Sequence, residues 1–252
     1  MQEITLKKGK KIYFASDFHF GIPDYAATRQ REELVCHWLD SIREDAQVVF
    51  LLGDIFDSWM EYKKVVPKGS IRFLGKLAEL SDAGIQLVFF TGNHDLWMHG
   101  YFQQELNATV FKEPKSFLIN GKVFHLSHGD GLCAAERKYR FMKLIIQHPL
   151  SQFIYRQLHP DVGLRLADYF SRLGPKHKYQ DLQLKSVDEE YQMVYANTLL
   201  KKETIHYFIF GHRHIPTLLK LNAESTFINV GDWISYNTFA VFDGKEAILT
   251  KY

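Results

Sequence analysis

Five apolar runs of strand length each end in a cluster of polar side chains. The runs are KIYFAS, QVVFLL, QLVFFT, KVFHLS and IHYFIF, and the clusters that follow them are DFH (17–19), GDIFD (53–57), GNHD (92–95), HGD (128–130) and GHRH (211–214). Continuous runs rich in Val, Ile and Phe are typical of strands that are buried on both faces. The chain is therefore predicted to build a central sheet whose strands end in chemically reactive residues.

Helical patterns lie between the first three runs. Apolar residues recur at helical spacing at Leu34, Trp38 and Ile42 and again at Phe73, Leu77 and Leu80. Alternating strands and helices imply crossover units. Asn120-Gly121 predicts a hairpin turn, and four strand-like segments after residue 211 predict a meander. The expected fold is an α/β layered sandwich that forms a single domain over residues 1–252.

The five polar clusters are expected to converge, because sites in such folds lie beyond the carboxyl ends of the strands. The candidate metal ligands in them are Asp17, His19, Asp54, Asn93, His128, His212 and His214. Oxygen and imidazole donors without a thiolate argue against a structural zinc site. Seven ligands exceed what one catalytic ion needs and suit two ions that share a carboxylate. Any one cluster occurs often by chance, whereas five strand ends in one chain indicate a site.

The chain resembles the calcineurin-like metallophosphoesterase superfamily in its motifs. From residue 17 to residue 214 these are, in order, D-x-H, G-D-x-x-D, G-N-H-D, H-G-D and G-H-x-H. The resemblance implies a layered α/β/β/α metallophosphoesterase sandwich and a metal-dependent hydrolase. It assigns Asp17, His19 and His214 to one metal ion and Asn93, His128 and His212 to a second. Asp54 would bridge the two ions. It further implies that His94 faces the substrate as an acid or charge stabiliser and that Asp95 orients His94.

A narrower resemblance covers the segments GDIFDSW and HGDGLCAAERKY, which are similar to blocks of the UDP-2,3-diacylglucosamine pyrophosphatases, with Tyr139 at a matching position. This resemblance implies cleavage of a nucleotide-linked glycolipid during lipid A synthesis, yielding UMP and 2,3-diacylglucosamine 1-phosphate. The implied ions are two Mn²⁺, with Fe or Zn as alternatives. The chain departs from the better-known branch, which has Arg at the position of His94 and Thr-Asp-Asp at residues 134–136. These departures concern the substrate side of the site.

The connection between the fourth and fifth motifs, residues 132–205, is long enough to carry function and is predicted to be a helical lid. Residues 137–185 hold ten Lys or Arg and three Asp, a net charge of +7, so the rest of a chain of net charge +2 carries −5. Basic charge beside apolar stripes suits acyl chains and anionic headgroups. The candidate substrate-binding residues are Tyr139, Arg137, Phe153, Ile154 and Phe170. The alternative is a solvated lid whose apolar stripes pack on the core.

Composition and charge indicate the cellular compartment and argue against one class of partner. Only two cysteines occur, which favours a reducing compartment, and the N-terminal MQEITLKKGKKIYF is too charged for a signal peptide. We expect a cytoplasmic protein, peripheral on the cytoplasmic face of the inner membrane. The negative balance outside the lid argues against nucleic acid as a partner. A phosphoesterase for a soluble nucleotide, phosphodiester or phosphoprotein and a non-catalytic scaffold stay open as alternatives, as does the oligomeric state.

Overall fold

The computed structural model describes residues 1–133, 136–173 and 190–252, in which twelve strands form two six-stranded sheets. The first sheet contains, in spatial order, β12 (Ala247–Lys251), β11 (Thr238–Phe242), β2 (Lys11–Ala15), β3 (Ala46–Leu52), β4 (Gln86–Phe90) and β5 (Thr109–Phe111). The second contains β1 (Gln2–Ile4), β6 (Lys115–Ile119), β7 (Lys122–Leu126), β8 (Tyr207–Phe210), β10 (Thr226–Asn229) and β9 (Thr217–Lys220). All five apolar runs are therefore strands, as predicted.

The two sheets pack face to face on an aromatic core. Phe14 and Phe50 of the first sheet stack at 5.1 Å between ring centroids, and Phe14 also stacks on Phe124 of the second sheet at 6.0 Å. Such buried rings contribute both apolar area and a preferred ring geometry. The interface explains why these strands are apolar on both faces, since each sheet also carries helices on its outer face.

Helices cover both outer faces. They are α1 (Tyr25–Ile42), α2 (Ile71–Asp82), α3 (Tyr101–Leu106), α4 (Arg137–Gln147), α5 (Pro149–Tyr155), α6 (Pro160–Leu173) and α7 (Tyr191–Leu200). Helices α1 and α2 bury Trp38 and Phe73 against the first sheet, and α7 buries Met193 and Ala196 against the second. The predicted α/β/β/α layering is confirmed.

Carboxylates accept the first N–H groups of α1 and α2, one from the adjoining residue and one from the neighbouring helix. The Asp24 carboxylate caps α1 by accepting the Ala27 N–H at 2.9 Å. The buried Glu32 side chain of α1 accepts the N–H groups of Arg72 and Phe73 at 2.8 and 3.1 Å, in the first turn of α2. A carboxylate at a helix N-terminus also interacts favourably with the helix dipole. The two helices are thereby held together over the first sheet.

The prediction for the C-terminal strands was right in number and wrong in pairing. Strands β9 and β10 pair antiparallel in the second sheet, whereas β11 and β12 pair antiparallel in the first. They do not form one meander because β10 also pairs with β8 and β11 also pairs with β2. The turn at Asn120-Gly121 is confirmed, with φ of 47° and 77° at the two residues, as a tight antiparallel hairpin requires.

The lid segment contains α4, α5 and α6, which we call the lid helices, and these rest on loops of the first sheet. The Trp97 Nε1–H donates to the Ile146 carbonyl at 3.1 Å, and the Arg156 Nε–H donates to the Glu61 carbonyl at 3.0 Å. Of the nineteen exposed large apolar side chains among the described residues, eleven lie between residues 141 and 169. Within the described parts of the chain, no helix is both long and apolar enough to cross a membrane.

Candidate metal centre

The polar clusters meet because their strands are parallel neighbours. Strands β2, β3 and β4 run parallel in the first sheet, and β7 and β8 run parallel in the second. Hydrogen bonds join the loops across the two sheets. The His212 N–H donates to Asp17 Oδ2 at 3.0 Å, and His128 Nδ1 lies 2.8 Å from the Leu52 carbonyl. Clusters almost 200 residues apart in sequence therefore share one site.

Asp17, His19 and His214 form one half of this site. Asp17 Oδ1 lies 3.3 Å from His214 Nε2 and 3.7 Å from His19 Nε2. This oxygen is buried and accepts no hydrogen bond from any described residue. Ligand atoms about 2.0–2.2 Å from a common ion would stand roughly 3–3.5 Å apart. The three side chains therefore fit a shared divalent cation.

Asp54, Asn93, His128 and His212 form the other half. His128 Nε2 lies 3.2 Å from Asn93 Oδ1 and 3.3 Å from Asp54 Oδ2. The ring centroids of His128 and His212 are 5.1 Å apart. Asp54 Oδ2 also lies 3.5 Å from His19 Nε2 of the first half. The structure thus brings all seven predicted ligands together, with Asp54 between the two halves as a bridging carboxylate would be.

The backbone at the site is strained. Positive φ angles between 44° and 69° occur at Asp17, His19, Asp54, His212 and His214. This conformation is uncommon for residues other than Gly and costs on the order of 1–3 kcal/mol at each position. Five of the seven candidate ligands carry it, which indicates that the fold holds these side chains in place for a purpose other than stability.

The site has a strongly negative potential. Burial alone lowers the pKa of His19, but the carboxylates of Asp17 and Asp57 raise it to about 10. The pKa of His128 is likewise lowered by burial and raised by Asp54, to about 10. Carboxylates that attract a proton to these rings attract a divalent cation in the same way. Burial and the neighbouring His128 lower the pKa of His212 to about 4, which leaves a neutral ring able to bind a metal.

The His94 ring is oriented by Asp57. His94 Nδ1 lies 2.9 Å from the Asp57 carbonyl and 3.4 Å from its Oδ1. The expectation that Asp95 orients His94 is wrong, because the buried Asp95 carboxylate accepts the backbone N–H groups of Asp54, Ile55 and Gly92. Asp95 instead ties the second motif loop to the third. Asp57 also faces His19 Nδ1 at 3.3 Å, so one carboxylate positions both rings.

Two further residues that hold the site were missed from the sequence. Asp232 Oδ2 lies 3.1 Å from His214 Nδ1, the nitrogen opposite the one that faces Asp17. This is the usual arrangement in which a carboxylate fixes the tautomer of a histidine ligand. The buried Arg31 guanidinium donates to the carbonyls of Phe18, His19 and Ile22 around the first motif. A third Gly-Asp pair, at 231–232, was the only sequence signal for Asp232, and Arg31 gave none.

The candidate substrate residues have different environments. The Tyr139 hydroxyl donates to Asp130 Oδ2 at 2.5 Å, beside the Lys143 ammonium at 2.7 Å, and so anchors α4 to the fourth motif. Burial and the charge of Asp130 raise the pKa of Tyr139, which keeps its hydroxyl protonated. Arg137, Phe153 and Ile154 are exposed on the lid helices. The Phe170 side chain and residues 134 and 135 lie outside the described residues.

Comparisons with known proteins cover nearly the whole chain. A profile of the calcineurin-like phosphoesterase family matches residues 10–216, which include all five polar clusters. A UDP-2,3-diacylglucosamine hydrolase from Porphyromonas gingivalis is 37% identical over 253 residues, 95% of this chain and 96% of that protein. One from Pseudomonas syringae pv. syringae is 27% identical over 221 residues, 84% of this chain and 86% of that protein. A solved dimetal phosphatase from Danio rerio, 13% identical, has a TM-score of 0.45, with 98% of this chain and 100% of that chain covered.

Proposed function

This chain is a member of the calcineurin-like phosphoesterase family, and we propose that it hydrolyses the pyrophosphate of UDP-2,3-diacylglucosamine to UMP and 2,3-diacylglucosamine 1-phosphate. The observation that carries the proposal is the 37% identity, over 95% of the chain, to a protein named for that substrate. The site supports it, since seven oxygen and nitrogen ligands surround one centre that is suited to phosphoryl chemistry.

The donor set fits two divalent ions, which the proposal takes to be Mn²⁺. Asp17, His19 and His214 would hold one ion, Asn93, His128 and His212 the other, and Asp54 both. Carboxylate, amide and imidazole donors without a thiolate suit manganese, and they also admit iron or zinc. Such a pair of ions supplies Lewis-acid polarisation of a phosphoryl group and activation of water.

His94 is the proposed catalytic side chain of the protein itself. Its side chain is 22% exposed, in contrast to the 1% of the adjacent His19, so substrate can reach it. Asp57 holds Nδ1 of the ring, and in the proposal the opposite nitrogen, Nε2, faces the substrate. There His94 would donate a proton or a hydrogen bond to a phosphoryl oxygen, and Asp57 would keep its ring in the orientation that this requires.

The lid helices are the proposed site for the acyl chains and for a membrane surface. Phe153 and Ile154 are exposed on α5, within reach of water rather than packed on the core. The cations Arg137, Lys138 and Arg140 are exposed on α4. Apolar side chains beside basic ones suit an acylated substrate that is drawn from an anionic lipid surface. We therefore place the protein at the cytoplasmic face of the inner membrane, attached peripherally.

One assay tests the substrate directly. Purified protein with Mn²⁺ is incubated separately with UDP-2,3-diacylglucosamine, UDP-glucose, a phenyl phosphodiester and a phosphopeptide, and the products are identified by mass. We expect UMP and the diacylated sugar phosphate from the first substrate, at a kcat/KM far above that for the other three. Faster turnover of a soluble substrate would refute the lipid assignment and favour a general phosphoesterase. Absence of turnover on all four, with metal bound, would favour a scaffold.

A further inference from the structure

A buried amide joins the two loops that carry the histidines of the second half of the metal centre. Gln192 lies in the first turn of α7, the helix that follows the lid helices in sequence, and only 2% of it is exposed. Its Nε2 donates to the Gly211 carbonyl at 2.9 Å and to the Gly129 carbonyl at 3.3 Å. Gly129 follows His128 directly, and Gly211 precedes His212 directly. One side chain therefore spans the backbone beside both ligands.

Asn229 completes the arrangement. Its Nδ2 donates to Gln192 Oε1 at 3.1 Å and to the Gly211 carbonyl at 2.6 Å, and Asn229 is 1% exposed. Both amides are therefore fixed in one orientation by partners on each side. The Gly211 N–H also donates to the His128 carbonyl at 2.9 Å, so the two loops are in direct contact above the amides.

The glycine of the fourth motif is explained by this contact. Gly129 has φ of +110°, and a Cβ at this position would lie 2.1 Å from Gln192 Nε2. The amide can approach the loop only because no side chain is present there. At the other loop, Arg213 lies between His212 and His214, and its Nε is 3.0 Å from the buried Glu190 carboxylate. Residues 190–192 thus hold the fifth motif at two points.

We propose that Gln192 is a positioning residue that sets the separation of His128 and His212 and thereby the affinity of the second metal ion. This inference rests on the proposed two-ion assignment. A residue that served packing alone would bond within its own helix or sheet, whereas Gln192 donates to two loops that come from different strands. The first turn of α7 is in this way tied to both loops of the second half of the centre.

The test is a titration of the metal-free full chain with Mn²⁺. Calorimetry measures the two affinities, and the electron paramagnetic resonance signal of coupled Mn²⁺ pairs reports when both sites are filled. Gln192→Met keeps the length of the side chain and removes both donors. Gln192→Glu keeps the acceptor for Asn229 and turns an oxygen toward the two carbonyls. For either variant we expect one of the two Mn²⁺ affinities, that of the second half, to fall by about 10- to 100-fold, as is usual when a group behind a ligand is lost. The other affinity should change by less than about threefold, and the coupled signal should require more Mn²⁺.

Tyr195→Phe is the matched control. Tyr195 lies on the same helix, α7, and its hydroxyl is 3.1 Å from His125 Nε2. The substitution removes this contact and leaves the loops that carry the candidate ligands unchanged. Both Mn²⁺ affinities should stay at the wild-type values. If the Gln192 variants lower the melting temperature but leave both affinities unchanged, or if Tyr195→Phe weakens the second ion equally, the positioning role is refuted. Wild-type protein that binds fewer than two ions would instead refute the metal assignment, and the inference with it.

Discussion

The double substitution Phe153→Ser and Ile154→Ser tests whether the lid helices hold acyl chains. The two side chains are 62% and 59% exposed, so their loss removes little buried surface from the folded protein. Complete burial of an Ile or Phe side chain is worth about 1.5–3 kcal/mol, and the exposed share of each is therefore worth about 1–2 kcal/mol. Together the two changes should cost up to about 2–4 kcal/mol of binding, a rise in KM of roughly 30- to 1,000-fold.

The assay compares two substrates on one preparation. KM and kcat are measured for UDP-2,3-diacylglucosamine in mixed micelles and for a short soluble phosphodiester. The rise should appear in KM for the acylated substrate, whereas kcat/KM for the phosphodiester should change by less than about twofold. Leu218→Ser with Ile248→Ser is the matched control, because these side chains are similarly exposed, at 48% and 45%, on the edge strands β9 and β12. That control should leave both substrates unaffected.

Two results would refute the reasoning. Parallel losses on both substrates, together with a lower melting temperature, would mean that Phe153 and Ile154 stabilise the fold and do not contact acyl chains. An equal rise in KM for the Leu218 and Ile248 control would mean that any exposed apolar residue affects the micellar assay. The first result would make a phosphoesterase for soluble substrates the better interpretation of the site, and the second would remove the support for acyl-chain binding by the lid helices.

Three other predictions concern the site and the core. His94→Ala should lower kcat by about 10²- to 10⁴-fold with both metal ions still bound, and Asp57→Asn should give part of that loss; normal turnover or loss of metal in the His94 variant would show that its role is misassigned. Elemental analysis after gel filtration should show that Asp54→Ala releases more Mn²⁺ than His214→Ala, since Asp54 Oδ2 faces His19 of one half and His128 of the other. Equal losses would argue against a bridge. Burial lowers the pKa of His125 to about 4, below its value in the unfolded chain, so the unfolded state takes up the proton first and stability must fall as the pH drops from about 6.5 to about 4. Between pH 7 and pH 5 the free energy of unfolding of metal-free protein, measured with urea, should fall by about 2 kcal/mol less in His125→Gln than in the wild type. An unchanged pH dependence would contradict this.

The sequence by itself determined the strands and the candidate ligands. Runs such as QLVFFT are apolar over their whole length, and this property is local, so it can be read without knowledge of the fold. The position of a ligand directly after a strand is also local. Because parallel strands end at one edge of a sheet, the sequence alone predicts that Asp17 and Asp54 meet. The helical lid was visible for the same reason, as a helical period in the apolar positions.

The tertiary structure alone decided which groups support those ligands. Asp57 and not Asp95 faces His94, because the loops of the second and third motifs interlock and the Asp95 carboxylate is taken up by backbone N–H groups. Asp232 and Gln192 reach the site from segments that carry no motif of their own. Such contacts depend on the order of the strands, and pairing is non-local, as the division of the last four strands between two sheets shows.

The lid helices show the same difference between a local property, the helical period, and a tertiary one, burial. An apolar stripe at helical spacing predicts a helix equally well whether the stripe packs on the core or faces solvent, since the period depends only on the backbone geometry. Whether Phe153 is buried depends on what other parts of the chain lie against it, and the structure leaves it exposed. The strained φ angles at the candidate metal ligands could likewise not be predicted from the sequence, because the surrounding packing imposes them on residues that would not adopt them alone.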